Sequence, residues 1–529
     1  MKKFNVTGPC FPDKHYMVDI SDRLRTIRGM VDDGDYFCIN RGRQYGKTTT
    51  LKALVKYLAE DYLVLPLDFQ AIPSGRYESG ETFSKAMAGV ILTANEWMGV
   101  EIPTDCIDAF KRLESNDKDY VDLDSLFKIL RKWCASSDRP IVMMIDEVDS
   151  ASNNQVFLDF LAQLRLDFIN RDQIPTFQSV ILAGVTDIKH LKSKIRDESQ
   201  HKVNSPWNIA VNFEIDMTLR VPGIKTMLDE YAKEHDISFD SEMVARAIYD
   251  YTHGYPFLVS RICQLIDTKL VPEVFQELSL AWTQHGVDEA VRLIMYETNT
   301  LFDSLVGKVE AYPELKGTLR EILMEGEDID YNPYDVGQSL LFMYGFIRNK
   351  GRKIVIFNSI FEMLLYRNFI SEARESNKLL QSAAYERKDY VSGRELNVPY
   401  IMERFIKYFN EIHGGEISER FLEKEAREKF LIFLSPIING SGTFSIEEET
   451  RDHKRMDVCI HYMGKRYVIE LKIWRGERYN EKGEAQILQY LDHFGLDTGY
   501  LLSFSFNKEK EPGVKKIRIG ERVLYEGTA

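Results

Sequence analysis

One stretch constrains this chain more than any other: Asp35-Tyr-Phe-Cys-Ile-Asn-Arg-Gly-Arg-Gln-Tyr-Gly-Lys-Thr-Thr-Thr50. An apolar run, Tyr36 to Ile39, feeds a glycine-containing turn. The turn opens an amphipathic helix near Lys47, with Leu51, Leu54, Val55 and Leu58 on one face. Strand, Gly-Lys-Thr turn and helix are the setting that a phosphate-binding loop requires. In it, backbone N–H groups from Gly42 to Thr49 and the helix N-terminus would cradle a β-phosphate. Lys47 would reach the β/γ oxygens, and Thr48 would ligate Mg²⁺. The spacing departs from the usual motif: three residues separate Gly42 from Gly46 where four are usual, and Arg41 stands where the first glycine normally sits.

A second segment supplies what such a loop lacks. Arg139-Pro-Ile-Val-Met-Met-Ile-Asp-Glu-Val-Asp149 reads as a buried parallel strand with Asp146 and Glu147 at its C-terminal end, the edge where ligand chemistry sits in open α/β sheets. There Asp146 would hold the Mg²⁺ water shell opposite Thr48, and Glu147 would polarise an attacking water. Leu63 to Phe69 reads as another strand and Asp119 to Ser136 as a helix. Ser179 to Asp187 is a third strand, ending in Thr186 near the γ-phosphate position, and Asn208 to Phe213 is a further strand. Alternating β and α segments predict a doubly wound parallel sheet. Tyr16 and Met17 could face an adenine base, although ordinary packing explains them as well.

Gly46-Lys47-Thr48, the strand ending Asp146-Glu147, and Thr186 resemble the additional-strand P-loop ATPases of the AAA+ and STAND type, whose cofactors are ATP and Mg²⁺. His253-Gly-Tyr-Pro-Phe-Leu258 resembles the Gly-x-Pro element of those families, so the resemblance implies that Gly254 and Pro256 mark a lid facing the nucleotide. Ser339 to Ile347 followed by Lys353 to Asn358 is similar to their winged-helix domain; the acidic run Asp328 to Asp335 suits packing better than DNA reading. Arg171 sits where such proteins often carry an arginine finger, but the sequence does not assign one, and a solvated surface arginine is the preferred reading.

The C-terminal part carries a different pattern. Helical sequence from Pro399 to Phe430 precedes three strand candidates: Thr443 to Glu448, Met456 to Tyr462, and Arg466 to Ile473. Glu470 and Lys472 are two apart, so they share one strand face, with Leu471 on the other. Placing acid-x-Lys on an otherwise apolar strand is costly unless a site requires it. Carboxylates Asp457 and Glu470 at adjacent strand ends suit a divalent metal, with Lys472 stabilising charge on a phosphodiester. Gln486 and Tyr490 lie one turn apart on the helix that follows, and Lys465, Arg466, Lys472, Arg475, Arg478 and Lys482 make a basic zone suited to phosphate contacts. Asp457, Glu470, Lys472 and Gln486 resemble the PD-(D/E)XK nuclease superfamily, with Met456 in place of its proline. That resemblance also implies an acid from the first core helix, for which Glu425 is the candidate, with Glu403 and Glu428 as alternatives.

The whole chain thus looks like bacterial proteins that join an AAA-like ATPase to a PD-(D/E)XK domain. The expected fold is multidomain α/β: a P-loop core over 1–215, a helical lid over 216–285, a winged helix over 286–370, a connector over 371–398, and a restriction-endonuclease-like α/β domain over 399–529. The expected activity is ATP-controlled, Mg²⁺-dependent cleavage of nucleic acid, most naturally DNA. A nucleotide-gated switch or DNA-binding scaffold that does not cut is the alternative, and a remodelling ATPase would form a homo-oligomeric ring.

Bulk properties fit this reading. A net charge of −14 argues against a protein that coats nucleic acid over its whole surface but allows a local basic site. The six cysteines show no paired spacing and read as reduced thiols of a cytoplasmic protein. No run of about 18 apolar residues predicts a membrane span.

Overall fold

In the computed structural model the described residues are 1–115, 121–152, 154–185, 207–323, 329–372, 389–392, 395–413, 423–438, 442–445, 458–462, 465–473, 477–505 and 511–529. By its internal contacts the chain forms two compact units. The first is Met1–Met227 together with two short segments, Tyr255–Phe257 and Met343–Gly345. The second is Leu228–Gly254, Leu258–Phe342 and Phe346–Ala529.

The first unit is built on a parallel sheet of four strands. Their order is Tyr36–Asn40, Ser179–Gly184, Ile141–Asp146 and Leu63–Asp68. Ser179–Gly184 is thus inserted between the strand that leads to the loop and the strand that ends in Asp146. Its six residues are all buried, as are the first five of Ile141–Asp146, which is why both read as unbroken apolar runs. Parallel pairing brings Asp68 level with Asp146, so both carboxylates emerge at the same sheet edge. The helix Lys47–Leu58 follows the loop and buries Leu51, Leu54 and Leu58.

Two expectations need correction. Asn208 to Phe213 is not a full strand: it meets the sheet through a single bridge between Phe37 and Val211. The backbone turns at Trp207 to bury its indole, whose N–H lies 3.0 Å from Cys38 Sγ, and Phe213 stacks on Phe37 at 5.9 Å. Side-chain anchoring therefore replaces the ladder. The helix expected from Asp119 begins at Leu123, because Asp122 acts as its N-cap and accepts from Ser125 N at 2.9 Å.

The second unit holds helices and a mixed sheet. Helices Thr300–Ala311, Pro313–Leu323 and Val336–Tyr344 precede an antiparallel hairpin, Ile347–Lys350 with Lys353–Ile356, which a bridge from Asp330 to Lys353 extends. Gly345, at φ +80°, makes the turn between helix and hairpin.

The sheet near the C-terminus has six strands, ordered Gly442–Ser445, Val458–Tyr462, Lys465–Ile473, Thr498–Phe504, Arg522–Thr528 and Gly513–Ile519. The first three pair antiparallel; Lys465–Ile473, Thr498–Phe504 and Arg522–Thr528 pair parallel. Ile487 and Leu491 of helix Glu477–Phe494 pack with Leu501 and Leu524 on one face. Met402 and Ile406 of helix Val398–His413 close on Gly527 from the other, where a β-carbon would come within 2.8 Å of Met402 Cε. The helical stretch expected from Pro399 to Phe430 is thus two helices, Val398–His413 and Glu423–Ile438.

Candidate functional site

The loop lies at the C-terminal edge of the parallel sheet. Arg41 N continues the ladder by donating to Gly184 O at 3.2 Å, and the chain then leaves the sheet. Gly46 takes φ +82° as the residue that caps the helix, and Gln44 takes φ +55°. Left-handed residues placed this way curl successive N–H groups toward one concave side. Gly42 is required for a different reason. A β-carbon there would lie 2.9 Å from Tyr344 O and 3.4 Å from Tyr255 Oη.

Lys47 is buried, with its ammonium donating to Arg41 O and Gly42 O, both at 2.9 Å. Burial pushes its pKa down, while the carboxylates of Glu147, Asp149 and Asp146 hold it up. Thr48 Oγ1 donates to Asp146 Oδ2 at 2.7 Å. Two hard oxygen donors thus meet across the loop, the donor type that Mg²⁺ takes, so the residues present fit that ion. Glu147 follows in a left-handed conformation, at φ +53°. Its burial, and then the neighbouring charge of Asp146, push its carboxyl pKa up, and Lys47 opposes this.

Thr49 Oγ1 accepts from Cys10 N at 3.1 Å, fastening the N-terminal segment to the first turn of the helix. Pro256 opens the helix Pro256–Leu265 and lies 3.9 Å from where a Gly46 β-carbon would stand. Gly254, at φ +71°, belongs to the second unit and donates to Thr252 Oγ1 at 3.1 Å. Thr186 lies outside the described residues. Tyr16 is buried against Phe4 at 4.9 Å, in keeping with ordinary packing. Arg171 donates to Gly34 O at 2.9 Å and lies over the Phe168 ring at 4.7 Å.

Sequence reading missed three participants. Asp149 Oδ2 accepts from Val185 N at 2.6 Å, tying the end of Ser179–Gly184 to the Asp-Glu turn, where Gly184 leaves room for it. Asp149 is visible in the sequence as the third acid of Asp-Glu-Val-Asp, but nothing local says which strand it meets. Arg41 donates to Phe213 O at 3.3 Å and Ile215 O at 3.0 Å, which explains an arginine where a glycine is usual. Tyr255, fully buried, donates its hydroxyl to Arg43 O.

In the C-terminal sheet, Glu470 is completely buried and pairs with Lys472 Nζ at 2.8 Å. The helix Glu477–Phe494 covers this pair: a β-carbon on Gly483 would lie 3.5 Å from Lys472 Cγ. Gln486 donates to Tyr490 Oη at 2.5 Å, and Tyr490 is buried against Cys459 and Val468. Asp457 and the side chain of Glu425 lie outside the described residues. Of the alternative acids, Glu428 accepts from Arg320 at 2.9 Å, and Glu403 is exposed. In the basic zone Lys465 makes a surface pair with Glu395, and Arg466 lies over the Phe494 ring at 4.2 Å. Among the described residues no three His, Cys, Asp or Glu side chains group as a metal site.

No protein-family model matches the chain, and no curated protein matches it in sequence. Among solved structures it is similar to P-loop ATPases. A Walker-type ATPase of Pyrococcus abyssi is 11% identical with a TM-score of 0.44, over 68% of this chain and 99% of that one. The ORC2 protein of Aeropyrum pernix is 12% identical with a TM-score of 0.38, over 66% and 93%. The RuvB branch-migration motor of Thermotoga maritima is 13% identical with a TM-score of 0.31, over 64% and 92%. Among the described residues no helix is long and apolar enough to cross a membrane.

Proposed function

We propose that the loop around Lys47 binds and hydrolyses ATP, and that its nucleotide state controls a phosphodiester-cleaving site around Glu470 and Lys472, most naturally acting on DNA. The observation that carries the first half is the 2.7 Å contact of Thr48 Oγ1 with Asp146 Oδ2 beside a buried lysine. Lys47 and the loop N–H groups bind the phosphates, and Glu147 orients and accepts a proton from the attacking water. Mg²⁺ bound by Thr48 and Asp146 would supply charge neutralisation at the phosphates. Lys47 is held by loop carbonyls with burial lowering its pKa, so an entering phosphate exchanges two neutral acceptors for an anionic one.

The second half rests on the acid-x-Lys pair, buried on a strand whose next helix carries Gln486 and Tyr490. Glu470 and Lys472 suit a metal-assisted attack on phosphate, with Asp457 as the partner acid. In this reading 216–285, 286–370 and 399–529 act as lid, winged helix and nuclease-like domain, and ATP shifts the population between held and released states. One observation favours the alternative of a non-cutting, nucleotide-gated scaffold. Glu470 is fully buried and already paired, as a structural ion pair would be.

Phosphate release from MgATP by the wild-type chain, compared with Glu147→Gln, tests the ATPase half. Turnover equal in both, or no binding of ADP at all, would remove it.

A further inference from the structure

The loop has Arg41 where a glycine is usual, so its backbone between Arg41 and Gly46 keeps a full set of N–H groups, and what aims each of them matters. Its middle is held from outside. Tyr255 is fully buried, donates its hydroxyl to Arg43 O, and meets Tyr45 edge-on at 4.9 Å and 78°. Tyr344 closes on the same loop, its carbonyl reaching to within 2.9 Å of a β-carbon on Gly42. Tyr255 and Tyr344 belong by their contacts to the loop's own unit although they lie far along the chain.

A trans peptide carries its C=O and N–H on opposite sides. A donor fixed on Arg43 O therefore turns the Gln44 N–H away from Tyr255. Gln44 is a non-glycine residue in the left-handed region, at φ +55°, a conformation that persists only where its surroundings impose it. The Tyr255 hydroxyl on Arg43 O and the Tyr45–Tyr255 ring contact, on the residues either side of Gln44, are part of those surroundings.

We infer that Tyr255 is a positioning residue for phosphate recognition: its hydroxyl holds the Arg43–Gln44 peptide so that the Gln44 N–H joins the cradle for a nucleotide β-phosphate. This rests on the reading of the loop as a nucleotide site. The role is specific to nucleotides bearing a β-phosphate, which a role in folding alone would not be.

Calorimetric titration of wild type and Tyr255→Phe with MgADP and with AMP tests it, alongside thermal melting of both. The phenylalanine keeps the ring and removes one hydrogen bond, so the ADP dissociation constant should rise about five- to tenfold. AMP affinity should be unchanged. Equal losses for both nucleotides, or no loss for ADP, would overturn the assignment. A wild type that binds neither nucleotide would remove the nucleotide reading itself and is a separate result. Hydrogen exchange on the wild type adds a measurement independent of the variant's folding. The Gln44 amide should gain protection with ADP and not with AMP; no gain with ADP contradicts the inference.

Discussion

Thr48 and Asp146, 98 residues apart in the chain, share a 2.7 Å hydrogen bond at the C-terminal edge of a parallel sheet. The first stands at the start of the helix that follows the loop, the second at the end of a strand two positions across the sheet from the one that leads to the loop. Their meeting depends on the strand Ser179–Gly184 lying between Tyr36–Asn40 and Ile141–Asp146. The same edge gathers Lys47, Glu147 and Asp149, the groups to which the proposal gives phosphate binding and the activation of water.

Lys47→Ala removes the ammonium that reaches from the helix to Arg41 O and Gly42 O. A charge-assisted hydrogen bond contributes about 1.5–3 kcal/mol, so ATP affinity should fall about ten- to a hundredfold. Titration with MgATP checks this. An unchanged dissociation constant would show that nucleotide, if bound, lies elsewhere.

Glu147→Gln keeps the side-chain shape and removes the base. Its kcat for ATP hydrolysis should drop about 10²–10⁴-fold, with ATP binding retained. Parallel turnover and binding measurements separate the two effects. Loss of both would instead assign Glu147 to binding.

Asp122 caps the helix Leu123–Ser136, and hydrogen bonds from the Ser125 backbone and side chain hold its carboxyl below the ordinary aspartate range. Asp122→Ala should cost about 1 kcal/mol at neutral pH. A depressed carboxylate pKa contributes stability above the unfolded value, and that contribution is lost as pH falls through the folded one. The stability gap between wild type and variant should therefore narrow in acid, below about pH 4. Urea unfolding at neutral and acid pH measures it; a gap that widens in acid contradicts the cap.

Much of this was legible in the sequence because the signals are local. An apolar run ending in Asp146-Glu147, and Gly46-Lys47-Thr48 ahead of a periodic helix, announce their elements without tertiary knowledge. Glu470 and Lys472 share a face by strand alternation alone. The unread parts are those set by distant partners. Tyr255 reaches the loop from 212 positions away, and its identity as an aromatic in a helical region gives no hint of Arg43 O. Asn208 to Phe213 looked like a strand because it is apolar; burial of Trp207 and Phe213 takes its place. Lys465 and Arg466 counted as phosphate contacts by charge, while Glu395 and Phe494, far off in sequence, engage them.

The claim that joins both halves is that nucleotide at Lys47 governs cleavage at Glu470. Incubating linear DNA with Mg²⁺ and the full chain, with and without ATP, tests it most directly when wild type, Lys47→Ala and Glu470→Gln are run together. The account predicts cleavage whose rate depends on ATP in the wild type, loses that dependence in Lys47→Ala, and disappears in Glu470→Gln. Cleavage that survives Glu470→Gln, or an ATP dependence unchanged by Lys47→Ala, would contradict it.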